Sequence, residues 1–471
     1  MNKQIVYPLE ALSQTLNGQL LHAKNANAAV SVCIDSRTLQ PGDWFICIRG
    51  ERTDGHLHLE QALDKGAAGA VVQPERIPEN LHDREFPQIR VSDPNLALRE
   101  WASSARSMFP GKVLGITGSN GKTSTKEILA RLCRRLDGMV DATHGNLNNL
   151  IGVPLTLLGA SSESQWWVIE MGTNQFGEIG ELSRISRPDG VILTSIAQSH
   201  LEFLKNTEGV VREKSDIMKG MSPGSPLVLP ADVKHLDFIR KQATQAGVKI
   251  IRYALADADF DAEWKLKLRE GTSGETVFEL FGEEFHPGKV NPLQLRNLAA
   301  SLVLLYECGV DQGQLQQTVS GLELTVPGRF EWKRLDRGWL VDDTYNANPG
   351  SFRGVLDSIR SMHSSESLTV VAGPMAELGK DAKKMHQEIG ESIRHSGCSK
   401  LLVLGGTLGE GYLEGWKSSG GSTNDAIRFE DLGELTDAFH NFWNKEGIVL
   451  VKGSRSAAME RFVNAVITKN Q

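Results

Sequence analysis

The residues Gly115-Ile116-Thr117-Gly118-Ser119-Asn120-Gly121-Lys122-Thr123-Ser124 carry the strongest chemical signal in this sequence. Glycines at such spacing let backbone N–H groups turn inward onto phosphate oxygens, and a helix that starts just beyond adds partial positive charge. Lys122 can reach terminal phosphates, and the Thr123 hydroxyl can bind Mg²⁺. The strict phosphate-loop spacing would place glycine at 116, where Ile116 stands. The alternative is a glycine-rich turn that merely caps a helix. Gly-Lys-Thr between a strand-like and a helix-like run favours the phosphate cradle.

Further polar groups sit where strands end. Glu170 follows Trp166-Trp167-Val168-Ile169. Ligands of open α/β sheets collect at the carboxyl ends of strands, so a carboxylate there is placed either to hold a hard cation or to be solvated. His200 follows the apolar run Val191–Ser195 and is either an ordinary loop residue or a site residue. Lys214 falls inside a helical stripe of Val210, Val211, Ile217, Met218 and Met221, so Glu208–Met221 is expected to be one helix. A lysine there either snorkels to the edge or points into a site with its basicity lowered by burial. Asp342-Asp343-Thr344-Tyr345-Asn346-Ala347-Asn348-Pro349 again joins a strand end to a helix start, as a site or as a capped turn.

The elements that must position these groups form three blocks. The length of 471 residues suggests about three domains. Residues 1–92, with short strands Val30–Ile34, Trp44–Ile48 and Ala70–Val72 and a helix over His58–Lys65, read as a small α/β domain. Residues 93–324 contain the phosphate loop and read as a mostly parallel α/β domain. Period-two alternation from Trp264 to Phe285 adds a small antiparallel patch to it. Residues 325–471 alternate strand-like runs (Trp339–Val341, Leu368–Ala372, Leu401–Leu404, Ile448–Val451) with helix-like ones (Gly354–Met362, Lys383–His395, Asp431–Trp443, Ala457–Ile467), the signature of a Rossmann-like doubly wound sheet.

Composition excludes other classes. The formal net charge of −7 shows no basic excess of the kind that wholesale nucleic-acid binding needs. The five cysteines, Cys33, Cys47, Cys133, Cys308 and Cys398, are odd in number and include no Cys-x-x-Cys. Free thiols in a reducing cytoplasm are expected. Met1–Leu12 lacks the pattern of a signal peptide, and no apolar run approaches a membrane span. The 47 glycines, about 10% against a usual ~7%, call for local explanations in turns and close approaches.

Thr117-Gly118-Ser119-Asn120-Gly121-Lys122-Thr123 resembles the ATP loop of the Mur ligases, which also lacks the first strict glycine. Gly145-Asn146-Leu147-Asn148-Asn149 with Ile151-Gly152-Val153-Pro154 is similar to that family's next motif. Pro327-Gly328-Arg329-Phe330-Glu331, Asp343–Pro349, Met375-Ala376-Glu377-Leu378-Gly379 and Val451-Lys452-Gly453-Ser454-Arg455-Ser456 match in order and spacing. Asp35-Ser36-Arg37, Pro41-Gly42-Asp43 and Arg49-Gly50-Glu51-Arg52 resemble a nucleotide-sugar domain. Within the family, Ala376–Gly379 and Lys452–Arg455 resemble the branch that joins D-alanyl-D-alanine to UDP-N-acetylmuramoyl-tripeptide.

The resemblance implies an ATP-dependent, peptide-bond-forming ligase working through an acyl phosphate, probed by its own substrates rather than by nucleic acid, and monomeric. It implies that Gly118, Ser119, Asn120, Gly121, Lys122, Thr123, Ser124, Gln294, Asn297, Arg329 and Asp343 contact ATP, Asp343 either holding the ribose or ordering the last block. Thr123 and Glu170 would hold Mg²⁺, and His200 and Lys214 a second Mg²⁺. Lys214 matches a position that is carbamylated in related ligases. Lys122, Glu170, His200 and Lys214 would thus carry the chemistry. Ser36, Arg37 and Arg49 would contact the UDP end. Asn146, Asn148 and Asn149 would contact the muramoyl-peptide portion, and Asn346, Asn348, Ser454 and Arg455 the dipeptide side.

Three positions depart from the family pattern: Pro374 in place of Asp, Pro230-Ala231-Asp232 in place of Asn-Ala-Asp, and Gln294 where a His-Asn pair is usual. A GTP-dependent switch protein would need Asn-Lys-x-Asp, and the run nearest that form is Asn444-Lys445-Glu446-Gly447. Folylpolyglutamate synthase would lack the first block. The ligase adding the third peptide residue would show Asp-Asn-Pro-Arg, which is absent from the sequence. An inactive nucleotide-binding homologue is the remaining rival.

Overall fold

Lys112–Thr117 is the third strand from one edge of a nine-stranded sheet, and the rest of the architecture is best followed from it. The structure is a computed structural model describing residues 6–23, 27–29, 31–50, 52–271, 275–443 and 446–469. Met1–Ile5, Val30, Glu51 and Asn444-Lys445, quoted above, lie outside them. The strands of this sheet run in the order Glu283–Gly288, Thr276–Leu280, Trp264–Glu270, Lys249–Leu255, Pro226–Pro230, Gly190–Leu193, Lys112–Thr117, Trp166–Glu170, Val140–Ala142. From Val140–Ala142 to Trp264–Glu270 every pairing is parallel. Helices cover both faces, so Val113–Thr117 and all of Trp166–Glu170 are buried, as continuous apolar runs require.

After Lys112–Thr117 the chain builds the strands on one side and then returns with Gly190–Leu193 on the other. The phosphate loop therefore opens at the point where the winding direction reverses, which is where such sheets leave a crevice. The expected antiparallel patch is present: Trp264–Glu270 extends the parallel sheet and pairs antiparallel with Thr276–Leu280, which pairs with Glu283–Gly288.

A six-stranded sheet in the order Glu331–Arg334, Gly338–Asp343, Gly447–Lys452, Leu368–Ala372, Lys400–Leu404, Ala426–Phe429 forms the C-terminal part. All pairings are parallel except the first, a hairpin. In register, Lys452 stands between Asp343 and Ala372. The N-terminal part has a five-stranded sheet, Gln19–Leu21, Gln88–Arg90, Gly69–Val72, Trp44–Ile46, Val32–Cys33, and a two-stranded ribbon of Val6–Pro8 with Asn27–Ala29.

Helix Pro94–Met108 starts cleanly because the Asp93 side chain accepts from the Asn95 N–H and proline occupies the first turn. Its fully buried Trp101 joins the N-terminal sheet (Trp44, Ile46, Val71, Ile89) to one face of the central sheet (Val113, Trp167, Val191) in a single apolar core. Phe109 stacks on Trp167 with centroids 3.7 Å apart. The C-terminal sheet has separate cores on its two faces, around Phe352 and Tyr412 and around Phe439 and Phe462.

Two local expectations change. The single helix expected over Glu208–Met221 is an α-helix, Thr207–Ser215, that tightens into a 3₁₀ turn, Asp216–Gly220. The cause is docking: a Cβ at Gly220 would lie 2.0 Å from the Ser183 carbonyl oxygen, and the Ser183 hydroxyl donates to the Ile217 carbonyl. An unexpected helix spans Thr407–Ser418 despite its glycines. Those glycines let it lie against helix Ala382–His395: a Cβ at Gly415 would be 1.9 Å from the Gln387 carbonyl oxygen. Part of the glycine surplus is thus spacing between backbones.

Candidate active site

The phosphate loop is bent by two glycines with positive φ, Gly118 (+149°) and Gly121 (+82°). A Cβ on Gly118 would meet Thr194 Oγ1 at 1.9 Å. The neighbouring strand end fastens the loop: Ser119 N donates to the Ser195 carbonyl and Asn120 N to Ser195 Oγ, both at 2.9 Å. Ser119 Oγ donates to the Ala197 carbonyl at 2.9 Å. Helix Lys122–Asp137 begins on Gly121 with no side-chain cap, so its first N–H groups face the cleft as an anion site needs. Gly118→Ala is expected to weaken binding of a non-hydrolysable ATP analogue at least tenfold, read by calorimetric titration, while far-UV circular dichroism stays unchanged.

Lys122 Nζ donates to the Gly118 carbonyl at 2.8 Å, and burial lowers its pKa. Glu170 is 2% exposed; Asn148 Nδ2 donates to its Oε1 at 2.8 Å, while its Oε2 has no hydrogen-bond partner. A buried carboxylate oxygen without a donor suits a hard cation, because Mg²⁺ takes one or two carboxylates, phosphate oxygens and waters. Among the described residues no three of His, Cys, Asp or Glu converge, a donor set poor for zinc and adequate for Mg²⁺.

Lys214 is fully buried and its Nζ has no hydrogen-bond partner. Burial drives its pKa well below the usual lysine value, and the nearby Lys122 charge lowers it further. The snorkelling alternative is therefore closed. The preceding Glu213 carboxylate accepts from the backbone N–H groups of Gly177 (2.6 Å) and Ile179 (2.8 Å), which fixes this helix beside the loop Gly172–Asn174 that lines the cleft.

The C-terminal part closes the other wall. Arg329 Nη2 donates to Thr123 Oγ1 at 2.7 Å, and its guanidinium lies 3.9 Å from the Tyr345 ring centroid. Asn348 Nδ2 donates to Asn120 Oδ1 at 2.7 Å. His200 Nδ1 stands 2.6 Å from Glu377 Oε2, a close polar contact that becomes an ion pair when the imidazole is protonated. Both residues hold left-handed backbone, φ +53° and +60°, a conformation that costs free energy in non-glycine residues and clusters at functional sites. Burial lowers the His200 pKa, and His200 in turn lowers that of Glu377.

The resulting cleft, about 530 Å³, is lined by Ser119–Ser124, Asn146, Asn148, Glu170, His200, Gln294, Asn297, Arg329, Asp343, Asn346, Asn348 and Arg455. A second cavity of about 280 Å³ adjoins it, sharing Lys122 and His200 and adding Glu377, Ala376, Ser199 and Ser454. Other expected residues lie elsewhere. Asn149 Oδ1 accepts from the N–H groups of Ile151 and Gly152, fixing the turn that leads into helix Gly152–Gly159. Ser36 donates to Gln61 Oε1, Arg37 pairs with Asp35, and Arg49 binds Asn95 through its backbone; none of the three lines either cavity.

Gln294 Oε1 accepts from the Asn291 N–H in a capping box at the start of helix Pro292–Glu307, and the residue also lines the cleft. Asn297 Oδ1 accepts from Thr125 and packs against Gly121. Asp232 of the Pro230-Ala231-Asp232 run takes a two-pronged ion pair from Arg296 at 2.7 and 2.9 Å, which ties that run to helix Pro292–Glu307. Glu377, Tyr345 and Lys452 stand in motifs quoted from the sequence but were given no role there, and Thr194 was not singled out. All four sit at or just beyond strand carboxyl ends, which is the signal that could have found them.

Comparison with known proteins gives a consistent family. A model described as Mur ligase middle domain matches residues 116–304, one described as Mur ligase, glutamate ligase domain matches 328–455, and one described as Mur ligase family, catalytic domain matches 29–106. The UDP-N-acetylmuramoyl-tripeptide–D-alanyl-D-alanine ligase of Escherichia coli (strain K12) is 32% identical, covering 97% of this chain and 98% of that one. The ligase of the same name from Bacillus subtilis (strain 168) is 29% identical, covering 97% of each. Among solved structures, MurF from Acinetobacter baumannii aligns with a TM-score of 0.85 at 24% identity over 99% of both chains. MurF ligase from Thermotoga maritima in complex with ADP aligns at 0.79 and 28% identity, covering 93% of this chain and 97% of that one.

Proposed function

The chain belongs to the Mur ligase family, and from that premise we propose that it joins D-alanyl-D-alanine to UDP-N-acetylmuramoyl-tripeptide at the expense of ATP, in peptidoglycan precursor synthesis. The observation that carries this reading is the cleft itself. An anion-binding loop and a buried carboxylate with one free oxygen line a cleft beside a second cavity that shares Lys122 and His200, and the buried, unpartnered Lys214, which lines neither cavity, lies close enough to feel the charges of Lys122 and Glu170.

The reaction runs in two steps. The terminal carboxylate of the tripeptide attacks the γ-phosphorus of ATP, releasing ADP and giving an acyl phosphate. The dipeptide amine then attacks the acyl carbon and loses a proton, and the tetrahedral adduct expels phosphate. A free carboxylate acylates poorly, so the phosphoryl group supplies the leaving group. The protein's task is positioning and charge neutralisation. Lys122 and the N–H groups of Gly121–Ser124 hold the transferring phosphoryl, and Arg329, stacked on Tyr345 beside Thr123, adds positive charge from the opposite wall. Thr123 and Glu170 fit one Mg²⁺, and His200 with a carbamylated Lys214 a second; bound there, such ions spread the negative charge of the phosphates. Carbamylation joins the free amine of Lys214 to CO₂ with loss of a proton, leaving a carboxylate where a bare ammonium would be buried unpaired.

The remaining assignments follow. Residues 1–92 bind the nucleotide-sugar end through Ser36, Arg37 and Arg49. Residues 93–324 bind ATP, with Gln294 and Asn297 on the base side, and hold the muramoyl peptide through Asn146, Asn148 and Asn149. Residues 325–471 contribute to ATP binding through Arg329 and Asp343 and receive the dipeptide beside Asn346, Asn348, Ser454 and Arg455. The enzyme works as a monomer in the cytoplasm. Its five cysteines are free, and no helix of the described residues is long and apolar enough to cross a membrane. The test is phosphate release with ATP, UDP-N-acetylmuramoyl-tripeptide and D-alanyl-D-alanine, run with lysine and with diaminopimelate as third residue. Release is expected only when the dipeptide is present; release independent of it, or none with either tripeptide, refutes the assignment.

A further inference from the structure

Two side chains of the C-terminal part reach the phosphate loop, and they come from different segments. Arg329 belongs to the turn before strand Glu331–Arg334, and Asn348 is the N-cap of helix Pro349–Met362. Both segments are tied to one buried ion pair. Asp343 Oδ1 accepts from the N–H of Phe330, next to Arg329, at 2.9 Å, and Asp343 Oδ2 accepts from Lys452 Nζ. Lys452 Nζ also donates to the Asn346 carbonyl at 3.0 Å, two residues before Asn348.

Lys452 is 1% exposed, lies at the carboxyl end of a central strand and has its ammonium 5.7 Å from the Phe352 ring centroid. A desolvated ion pair contributes little net stability against apolar side chains of the same volume. What it does supply is direction, because an ammonium stripped of water holds each acceptor along a defined line. Here those acceptors are the roots of both arms.

We propose that Lys452 is a positioning residue for the nucleotide: through Asp343 and the Asn346 carbonyl it sets Arg329 and Asn348 together against Thr123 and Asn120. The inference rests on the cleft being an ATP site, and it makes no use of the peptide substrates.

The test is calorimetric titration of the full chain with the β,γ-imido analogue of ATP in the presence of Mg²⁺. Lys452→Met should weaken binding about tenfold in the otherwise native chain. In the Arg329→Ala/Asn348→Ala background, where both arms are gone, the same change should alter affinity less than twofold. If Lys452→Met does not fold, as judged by circular dichroism, Lys452→Gln, which keeps an N–H donor, takes its place with the same expectations. A tenfold loss in both backgrounds, or no loss in the native one, overturns the proposal.

Steady-state kinetics gives an independent reading. The ATP KM should rise about tenfold while the KM for UDP-N-acetylmuramoyl-tripeptide stays within twofold. A loss confined to kcat would mark only a smaller folded fraction and would also overturn it. A chain that binds the analogue as expected yet releases no phosphate with the dipeptide would defeat the ligase assignment and leave the role of Lys452 standing.

Discussion

Lys122→Met is expected to lower dipeptide-dependent phosphate release by about 10³-fold or more, equivalent to ~4 kcal/mol of transition-state stabilisation. Methionine keeps the length and apolar stem of lysine, so the helix Lys122–Asp137 that begins there should be undisturbed. What disappears is a half-buried cation that lines the cleft. Its field on a transferring phosphoryl group is stronger than in bulk solvent because the cleft partly shields it from water. The check is initial-rate phosphate release beside a thermal melt of the same preparation. A variant that retains even a tenth of the native rate would show that Lys122 does not touch the reacting phosphate.

The second large effect concerns Lys214. Lys214→Ala is expected to lose about 10²-fold or more in kcat, and short carboxylates such as acetate should restore part of it. The argument is electrostatic. A fully buried ammonium with no hydrogen-bond partner is costly, and burial with the Lys122 charge nearby pushes the group toward its neutral form. The neutral amine is the form that combines with CO₂, and the carbamate would place a carboxylate facing the Lys122 charge. Alanine leaves a space that a small carboxylate can enter. Undiminished activity would refute the role, and a loss that carboxylates do not relieve would refute the carbamate.

Much of this was readable in the sequence because the chemistry there is contiguous. The phosphate loop announces itself through residues adjacent in the chain, and the strand-like and helix-like runs expected on either side of it are present as Lys112–Thr117 and Lys122–Asp137. Glu170 was legible because a strand end is a local pattern. Lys214 was not decidable, since an apolar helical stripe looks the same whether its lysine snorkels or points inward; only burial separates the two.

Pairs distant in the chain left no local trace. Lys452 with Asp343 and His200 with Glu377 depend on how strands are ordered, which periodicity does not encode. The departure at Pro374 also needed three dimensions: the loop uses the carbonyl of this residue, which accepts from Ser454 N at 3.0 Å, and asks for no N–H there.

The way the C-terminal part meets the phosphate loop has a consequence for turnover. The N-terminal and central sheets share one continuous apolar core through helix Pro94–Met108, so separating them would expose a large area to water. At the phosphate loop, by contrast, the C-terminal part makes contact through the tips of Arg329 and Asn348, with Glu377 touching His200 close by. Each such contact exchanges readily for water at a net difference of about 1 kcal/mol. A grip of that kind is firm enough to define a geometry and weak enough to let go. ADP and phosphate can therefore depart with only the edge packing of Leu201 and Leu293 on the C-terminal core to loosen, and the same surfaces can re-form around the next ATP.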